Sequence, residues 1–444
     1  MKVVLVSTYD LGRQPFGLAS PAAWLRRAGI DVESIDLSRE KLRADAIAGA
    51  GLIAVYLPMH TATRLALPVI DKVRAINPAA TICAYGLYAS LNEELLRRHG
   101  VSIVLGPEAE AELVAIASGS SAATATTLPR LNFIQPDRSG LPSLDRYASL
   151  QMPDGTRKIV GATDATRGCK HRCRHCPIVP VYDGQFRVVP VDVVLADVRA
   201  QVGQGATHIT FGDPDFFNGP THARRIVESL HREFPSLTYD AIIKVEHLLK
   251  HRDLLPVLAQ TGCLFITSAV ESVDDAVLAK LEKGHTRADF TAAAEACSEA
   301  GLTLVPTFVA FTPWTTLDSY IDLLDVVQNL GLVGNVAPIQ WSIRLLVTWE
   351  SRLLELDDIR AGVGPFDPIT LTYPWKHRDP RVDALQQQIM ALAGVKLTRS
   401  REDIFAAVRE LAHLARGEAG RSRTIDLVLP SRAAIPYLNE PWYC

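Results

Sequence analysis

The feature that most constrains the fold of this chain is a repeated alternation of short apolar runs with amphipathic stretches of helical spacing. Such a pattern predicts a parallel sheet wrapped by helices, since strands covered on both faces read as nearly continuous Val/Ile/Leu runs. It occurs twice. Over residues 1–117 the candidate strands are 3–7, 31–35, 52–57, 81–84 and 102–105, with helical spacing at 21–28, 61–75 and 91–99. Five strands with short turns predict a doubly wound domain whose ligand sits at the strand carboxyl ends. The candidate binding residues there are Thr8, Tyr9, Asp10, Gly86, Gly106 and Glu108.

The Ser/Gly/Ala/Thr composition of 118–127 predicts a linker, taken as 118–154. From 155 to 345 the alternation resumes, with candidate strands at 209–211, 236–243, 263–269, 303–311 and 340–345. Candidate helices lie at 191–202, 221–234, 248–260, 287–300 and 318–329. This predicts a full or partial (β/α) barrel with its site at the strand carboxyl ends. Residues 346–444 are less regular; two expected helices, 382–393 and 401–416, make a small, mainly helical C-terminal region with a Pro-containing tail.

Composition narrows the function. The 444 residues carry 46 Lys+Arg against 49 Asp+Glu, a net charge of -3, with 48% hydrophobic residues. A near-neutral balance gives no electrostatic reason to expect nucleic acid or an anionic membrane as partner. No long uninterrupted apolar run exists, and Met1 leads directly into a strand-like segment, so a cytoplasmic protein acting on a small molecule or peptide is expected. Seven cysteines, an odd number, argue for metal or redox use over a disulfide framework. Cys83, Cys263 and Cys297 sit in apolar or helical surroundings and read as core.

Three others cluster. The segment Thr166-Arg167-Gly168-Cys169-Lys170-His171-Arg172-Cys173-Arg174-His175-Cys176-Pro177 follows the first barrel strand and places thiols at C-x3-C-x2-C spacing. Three thiolates ligate three irons of a four-iron cluster and leave the fourth open to a non-protein ligand. Lys170, Arg172 and Arg174 favour the thiolate forms. A zinc site completed by His171 or His175 is the competing reading, but no second ligand pair accompanies the triplet. A basic nucleic-acid loop is a third reading, without interleaved aromatics to support it.

The triplet, set after an N-terminal α/β domain, resembles the radical S-adenosylmethionine (SAM) enzymes with a cobalamin-binding domain. The resemblance implies a flavodoxin-like domain of cobalamin-binding type, followed by a radical SAM barrel. It implies a 4Fe-4S cluster on Cys169, Cys173 and Cys176, SAM chelated to the open iron, cobalamin, and a reductant such as flavodoxin or ferredoxin. His175 takes the position that packs near the adenine. Gly212, Asp213 and Asp215 end the second strand and suit the methionyl ammonium; an N-cap is the plainer role for the aspartates. Lys244 and Glu246 end the third strand, Glu271 and Ser272 match the strand-four signature, and Thr307 lies on the adenine-contacting strand.

Two departures qualify this. Cobalamin domains with a protein imidazole on cobalt carry Asp-x-His-x-x-Gly after the first strand; here Gly12 stands in the histidine position, and His60 is the candidate substitute. A domain that keeps the fold without the cofactor remains open. The C-terminus, Asn439-Glu440-Pro441-Trp442-Tyr443-Cys444, resembles the group whose tails end in Cys-Cys-Ala-Glu-Pro or Cys-selenocysteine-Ala-Glu-Pro. That resemblance makes Cys444 a candidate catalytic thiol, against the alternative of a frayed end. The expected activity is cobalamin-dependent methylation of an unactivated carbon; a rearrangement or cyclisation, or a non-catalytic iron-sulfur sensor, are the alternatives.

Overall fold

The computed structural model describes residues 1–120, 128–395, 399–418 and 435–439. The expected linker stretch 121–127 and Cys444 lie outside the described residues.

The first domain contains β1 (Val3–Ser7), α1 (Phe16–Arg27), β2 (Val32–Asp36), α2 (Ala44–Ala48), β3 (Leu52–Tyr56) and α3 (His60–Ile76). It continues through β4 (Thr81–Tyr85), α4 (Leu87–Leu91), α5 (Glu93–Arg98), β5 (Ile103–Val104) and α6 (Glu110–Ala117). All five strands are parallel in the order β2-β1-β3-β4-β5, the order of flavodoxin-like sheets. The run Val3-Val4-Leu5-Val6 shows why: Val3 and Leu5 pack with Leu18, Leu25 and Leu113 on one face, Val4 and Val6 with Ile70, Val73 and Leu96 on the other. The chain reverses direction across the sheet between β1 and β3, which opens a crevice at their carboxyl ends.

Beyond it, the expected linker ends inside the next sheet. β6 (Ser149–Gln151) pairs antiparallel with β7 (Arg157–Thr163), so the sheet starts before residue 155. Arg138 is buried, its Nε donating to Asp197 at 2.8 Å and its Nη2 to the Ala162 carbonyl at 2.6 Å, which fastens this stretch to the second domain.

A small hairpin, β8 (Thr166–Gly168) and β9 (Phe186–Val188), brackets α7 (Val179–Tyr182). Then follow α8 (Val191–Gly203), β10 (His208–Phe211), α9 (Pro220–Glu233), β11 (Thr238–Ile242), α10 (Val245–Lys250) and α11 (Leu255–Gln260). The repeat closes with β12 (Cys263–Glu271), α12 (Asp275–Lys280), α13 (Arg287–Glu299), β13 (Thr303–Phe308) and α14 (Leu317–Asn329). Strands β7, β10, β11, β12 and β13 are parallel neighbours, and among the described residues the sheet does not close, so the barrel is partial.

Two local expectations are corrected. The helix expected over 248–260 is broken, because Pro256 lacks the N–H and crowds the preceding turn. The strand expected over 340–345 is instead a 3-10 turn, Pro338–Ser342, with one parallel bridge, Phe311 to Arg344. There the Gln340 side chain takes the place of a strand carbonyl, accepting the Phe308 N–H at 2.9 Å.

The C-terminal region is helical: α15 (Asp357–Gly362), α16 (Pro380–Val395) and α17 (Arg401–Arg416). Ile389, Ile404, Phe405 and Val408 join the barrel core around the fully buried Trp341. β14 (Tyr437–Leu438) pairs antiparallel with β6 at the sheet edge. No helix of the described residues is long and apolar enough to cross a membrane.

Candidate active site

The thiol triplet occupies the loop between β8 and α7, at the carboxyl end of the first parallel barrel strand. Gly168, just before Cys169, has φ of +76°, and a Cβ there would lie 2.4 Å from the Tyr182 ring and 2.7 Å from the Gln185 carbonyl. Only glycine fits that bend. Gly168→Ala should therefore cost about 2 kcal/mol or more, from left-handed strain and backbone crowding, and should lower both the melting temperature and the iron retained.

The loop is held from two sides. The Arg174 N–H and Nη1 donate to the carbonyls of Leu281 and Lys280, both at 2.9 Å, and Asn218 links the Lys170 N–H (3.3 Å) to the Gly168 carbonyl (3.2 Å). Cys169 and Cys173 are buried and Cys176 half-buried. Burial pushes the Cys169 thiol up to about 11 and Cys176 to about 12, so ionisation needs compensating positive charge. Lys244 Nζ stands 3.9 Å from Cys173 Sγ, and Lys283 acts on Cys176.

At the end of β12, a bulge against β13 puts Glu271 at φ +69° and turns its side chain toward the triplet. Its Oε1 lies 3.1 Å from His175 Nε2 and 3.4 Å from Lys283 Nζ. Burial raises the Glu271 carboxyl, but Lys283 and His175 outweigh it and hold it at about 2. A carboxyl lowered from 4.5 to about 2 stabilises the fold above pH 4.5 and loses that contribution as pH falls toward 2. Glu271→Gln should accordingly flatten acid unfolding below pH 4.5 and cost on the order of 3 kcal/mol at neutral pH, read by urea titration at several pH values. His175 Nδ1 and Ser268 Oγ are buried without a hydrogen-bond partner and stand ready for a polar ligand.

The other expected residues are distributed as follows. Asp213 is fully buried and accepts from the Ala165 N–H (2.9 Å) and Thr166 Oγ1 (2.6 Å), which ties the end of β10 to the cluster loop. Burial and the Asp164 charge push its carboxyl up to about 8. Asp215 caps the 3-10 turn Phe216–Asn218 and lies against His171 and His247. Glu246 Oε2 is 3.6 Å from Lys244 Nζ. Ser272 and Thr307 are half-buried at the ends of β12 and β13. The sequence does not single out Lys283 and His285; the signal is Lys283-Gly284-His285 one helix beyond Glu271, a turn with one cation and one neutral imidazole facing the same strand ends.

The carboxyl ends of the first sheet face this mouth. Between them lies a cavity of about 200 Å³, whose lining includes Phe16, Gly17, Tyr56, Pro58, Tyr85 and Leu87 from the first domain and Asp164, Thr166 and Gly212 from the second. A Cβ on Gly212 would lie 2.5 Å from Asp164 Oδ1 in the same domain and 3.1 Å from Arg13 Nη1 in the first, so glycine leaves room for both side chains. None of Thr8, Tyr9, Asp10, Gly86, Gly106 and Glu108 lines the cavity, although Leu87, Pro107 and Glu110 beside them do. Thr8 Oγ1 donates to the Ala62 carbonyl at 2.8 Å, and Tyr9 is buried. Asp10 is pushed up to about 7 by burial, and the Gly86 N–H donates to the Gly106 carbonyl at 3.1 Å. Glu108 accepts from Tyr182 Oη (2.9 Å) and Arg167 Nη1 (3.1 Å). His60 Nε2 sits 2.6 Å from the Thr370 carbonyl, engaged with the C-terminal region. Cys83, Cys263 and Cys297 are buried in apolar clusters, as expected for core thiols.

Residues 164–326 match the model of the Radical SAM superfamily, so this part of the chain is a radical SAM domain, a module for a 4Fe-4S cluster and SAM. Curated relatives include the tRNA-2-methylthio-N(6)-dimethylallyladenosine synthase of Sorangium cellulosum, 28% identical over 38% of this chain and 38% of that protein. Another is the bacteriochlorophyllide d C-12(1)-methyltransferase of Chlorobaculum tepidum, 25% identical over 28% of this chain and 27% of that one. The chain thus spans well under half the length of these relatives. Among solved structures it is similar to the cobalamin-dependent SAM radical enzyme OxsB with aqua-cobalamin bound (TM-score 0.71, 16% identity, 93% of this chain and 72% of that one). It is also similar to the radical SAM methyltransferase TsrM from Kitasatospora setae with cobalamin and a [4Fe-4S] cluster bound (TM-score 0.66, 15% identity, 94% and 99%). At those identities the likeness is one of fold.

Proposed function

We propose that this protein is a radical SAM enzyme that methylates an unactivated carbon of a small molecule or peptide, with cobalamin taken up between its two α/β domains. The observation that carries the reading is the placement of three thiols, two buried and one half-buried, beside the Glu271-Lys283-His175 group, under the carboxyl ends of a flavodoxin-like sheet. When bound, the cluster and SAM supply a 5'-deoxyadenosyl radical able to take a hydrogen atom from carbon.

The chain's own residues hold and shield that chemistry. Cys169, Cys173 and Cys176 bind the cluster, and Lys244 and Lys283 offset its negative charge. Glu271, His175 and Ser268 present polar atoms to SAM at the strand ends, and the apposed first domain excludes water. We infer a cytoplasmic enzyme reduced by a flavodoxin or ferredoxin.

The seam fits cobalamin in character, with apolar and glycine positions at strand ends, but not in its present volume. About 200 Å³ falls below the roughly 300–1,000 Å³ of cofactor pockets. Arg167 and Glu110 line the cavity and pair at 2.7 Å, so we infer that uptake parts this contact. The closed seam favours a second reading, in which the first domain is structural and the radical chemistry proceeds without methyl transfer. Titration of the cluster-loaded chain with hydroxocobalamin separates them. Near-stoichiometric binding, with a spectrum lacking histidine ligation, supports the first, because Gly12 replaces the histidine and His60 is engaged. No binding supports the second.

A further inference from the structure

One group of side chains beside the cluster loop is not used by the function above. His171 lies between two of the cluster cysteines, Asp215 follows β10, and His247 belongs to α10, after β11. One ligand atom from each falls within 4.8 Å of the others. His247 Nδ1 is 2.6 Å and His171 Nε2 3.4 Å from Asp215 Oδ2, and the two imidazole rings are 4.7 Å apart.

These contacts are close without being aligned as hydrogen bonds. His171 Nε2, Asp215 Oδ2 and His247 Nδ1 are all buried with no hydrogen-bond partner. Asp215 and His247 are almost entirely sealed from solvent, with side chains 0% and 1% exposed. Asp215 Oδ2 is in ion-pair contact with both imidazoles, yet no aligned hydrogen bond satisfies any of the three buried atoms, and such groups are costly to leave in that state. Their types and arrangement answer the problem, since two imidazoles and one carboxylate form a ligand face for a divalent first-row transition ion. Ligand atoms about 2.0–2.2 Å from such an ion stand about 3–3.5 Å from each other, so the 3.4 Å contact fits as it is and the 2.6 Å contact widens by a few tenths of an ångström. Glu246 Oε2 faces the other ring nitrogen of His171 at 3.6 Å, as a carboxylate does behind a metal-ligating histidine.

We propose that His171, Asp215 and His247 bind one divalent transition-metal ion, with zinc the natural probe, at a site separate from the thiol triplet. The ion fixes the cluster loop, through His171, to the ends of β10 and β11.

The test uses cluster-loaded full-length protein, stripped of adventitious metal and titrated anaerobically with zinc alone. The expected result is one zinc per chain on top of the cluster's irons, with zinc-edge X-ray absorption showing nitrogen and oxygen neighbours near 2.0–2.2 Å and no sulfur near 2.3 Å. Asp215→Asn and His247→Gln should each weaken zinc binding about 100-fold or more while iron per chain stays constant. Zinc found on sulfur, wild-type protein that takes up no zinc, or variants that bind like wild type would overturn the proposal. If a variant also loses iron, the absorption spectrum of the wild-type protein decides. Iron content reports on the cluster separately, so failure of this site is distinguishable from failure of the radical SAM reading.

Discussion

Cys173→Ala should empty the cluster site: iron should fall from about four per chain to near zero, and SAM cleavage should fall to background. A triplet offers no spare ligand, and Cys83, Cys263 and Cys297 are packed in apolar clusters away from the β8–α7 loop that carries it. Cys83→Ala and Cys297→Ala should therefore keep full iron and lose at most some stability. Iron and sulfide analysis of the three variants after identical anaerobic reconstitution checks this. Retention in Cys173→Ala with loss in Cys83→Ala would refute the assignment.

Arg167→Met should destabilise the chain by about 3–5 kcal/mol at neutral pH, because it strands two buried carboxylates. Arg167 Nη1 reaches Glu108 Oε2 at 3.1 Å and Glu110 Oε1 at 2.7 Å, while Nη2 donates to Ser20 Oγ at 3.1 Å. Its guanidinium also lies over the rings of Phe16 and Phe133, 5.1 and 4.9 Å from their centroids. The Glu108 and Glu110 side chains are only 0% and 3% exposed. Burial already raises the Glu108 carboxyl above its ordinary 4.5, and removing Arg167 raises it further. A raised acid destabilises above its unfolded pKa, so the deficit should grow as pH rises past about 4.5 and shrink below it. Urea unfolding at pH 5 and pH 7 reads the difference. The same variant should admit hydroxocobalamin faster if the seam opens along this contact.

Much of the fold was legible because periodicity reports burial directly. Val3–Ser7 reads as an apolar run since helices cover both faces, and Cys263–Glu271 since helices cover one face and the barrel interior the other; Gly turns marked their ends. Failures arose where a side chain replaced backbone pairing, as Gln340 does for Phe308, or where a short helix such as Asp275–Lys280 has too few residues to show a period. In the site, the triplet was legible from spacing alone. The companions of Glu271 were less so: Lys283 and His285 come close only because the β12 bulge and the short α12 fold the chain back, a three-dimensional fact that no local pattern encodes. The place of Glu108 after β5 makes it a candidate ligand, yet its partner Arg167 lies 59 residues away in the other domain. Long-range ion pairs of that kind leave no periodic trace.

The most direct test of the central claim is to reduce the cluster-loaded protein anaerobically in the presence of SAM and quantify 5'-deoxyadenosine, with electron paramagnetic resonance of the reduced cluster before and after SAM is added. The account predicts that SAM perturbs the cluster signal and that 5'-deoxyadenosine accumulates in wild type but not in Cys173→Ala. A reduced four-iron cluster whose signal is unchanged by SAM, with no 5'-deoxyadenosine formed, would contradict it.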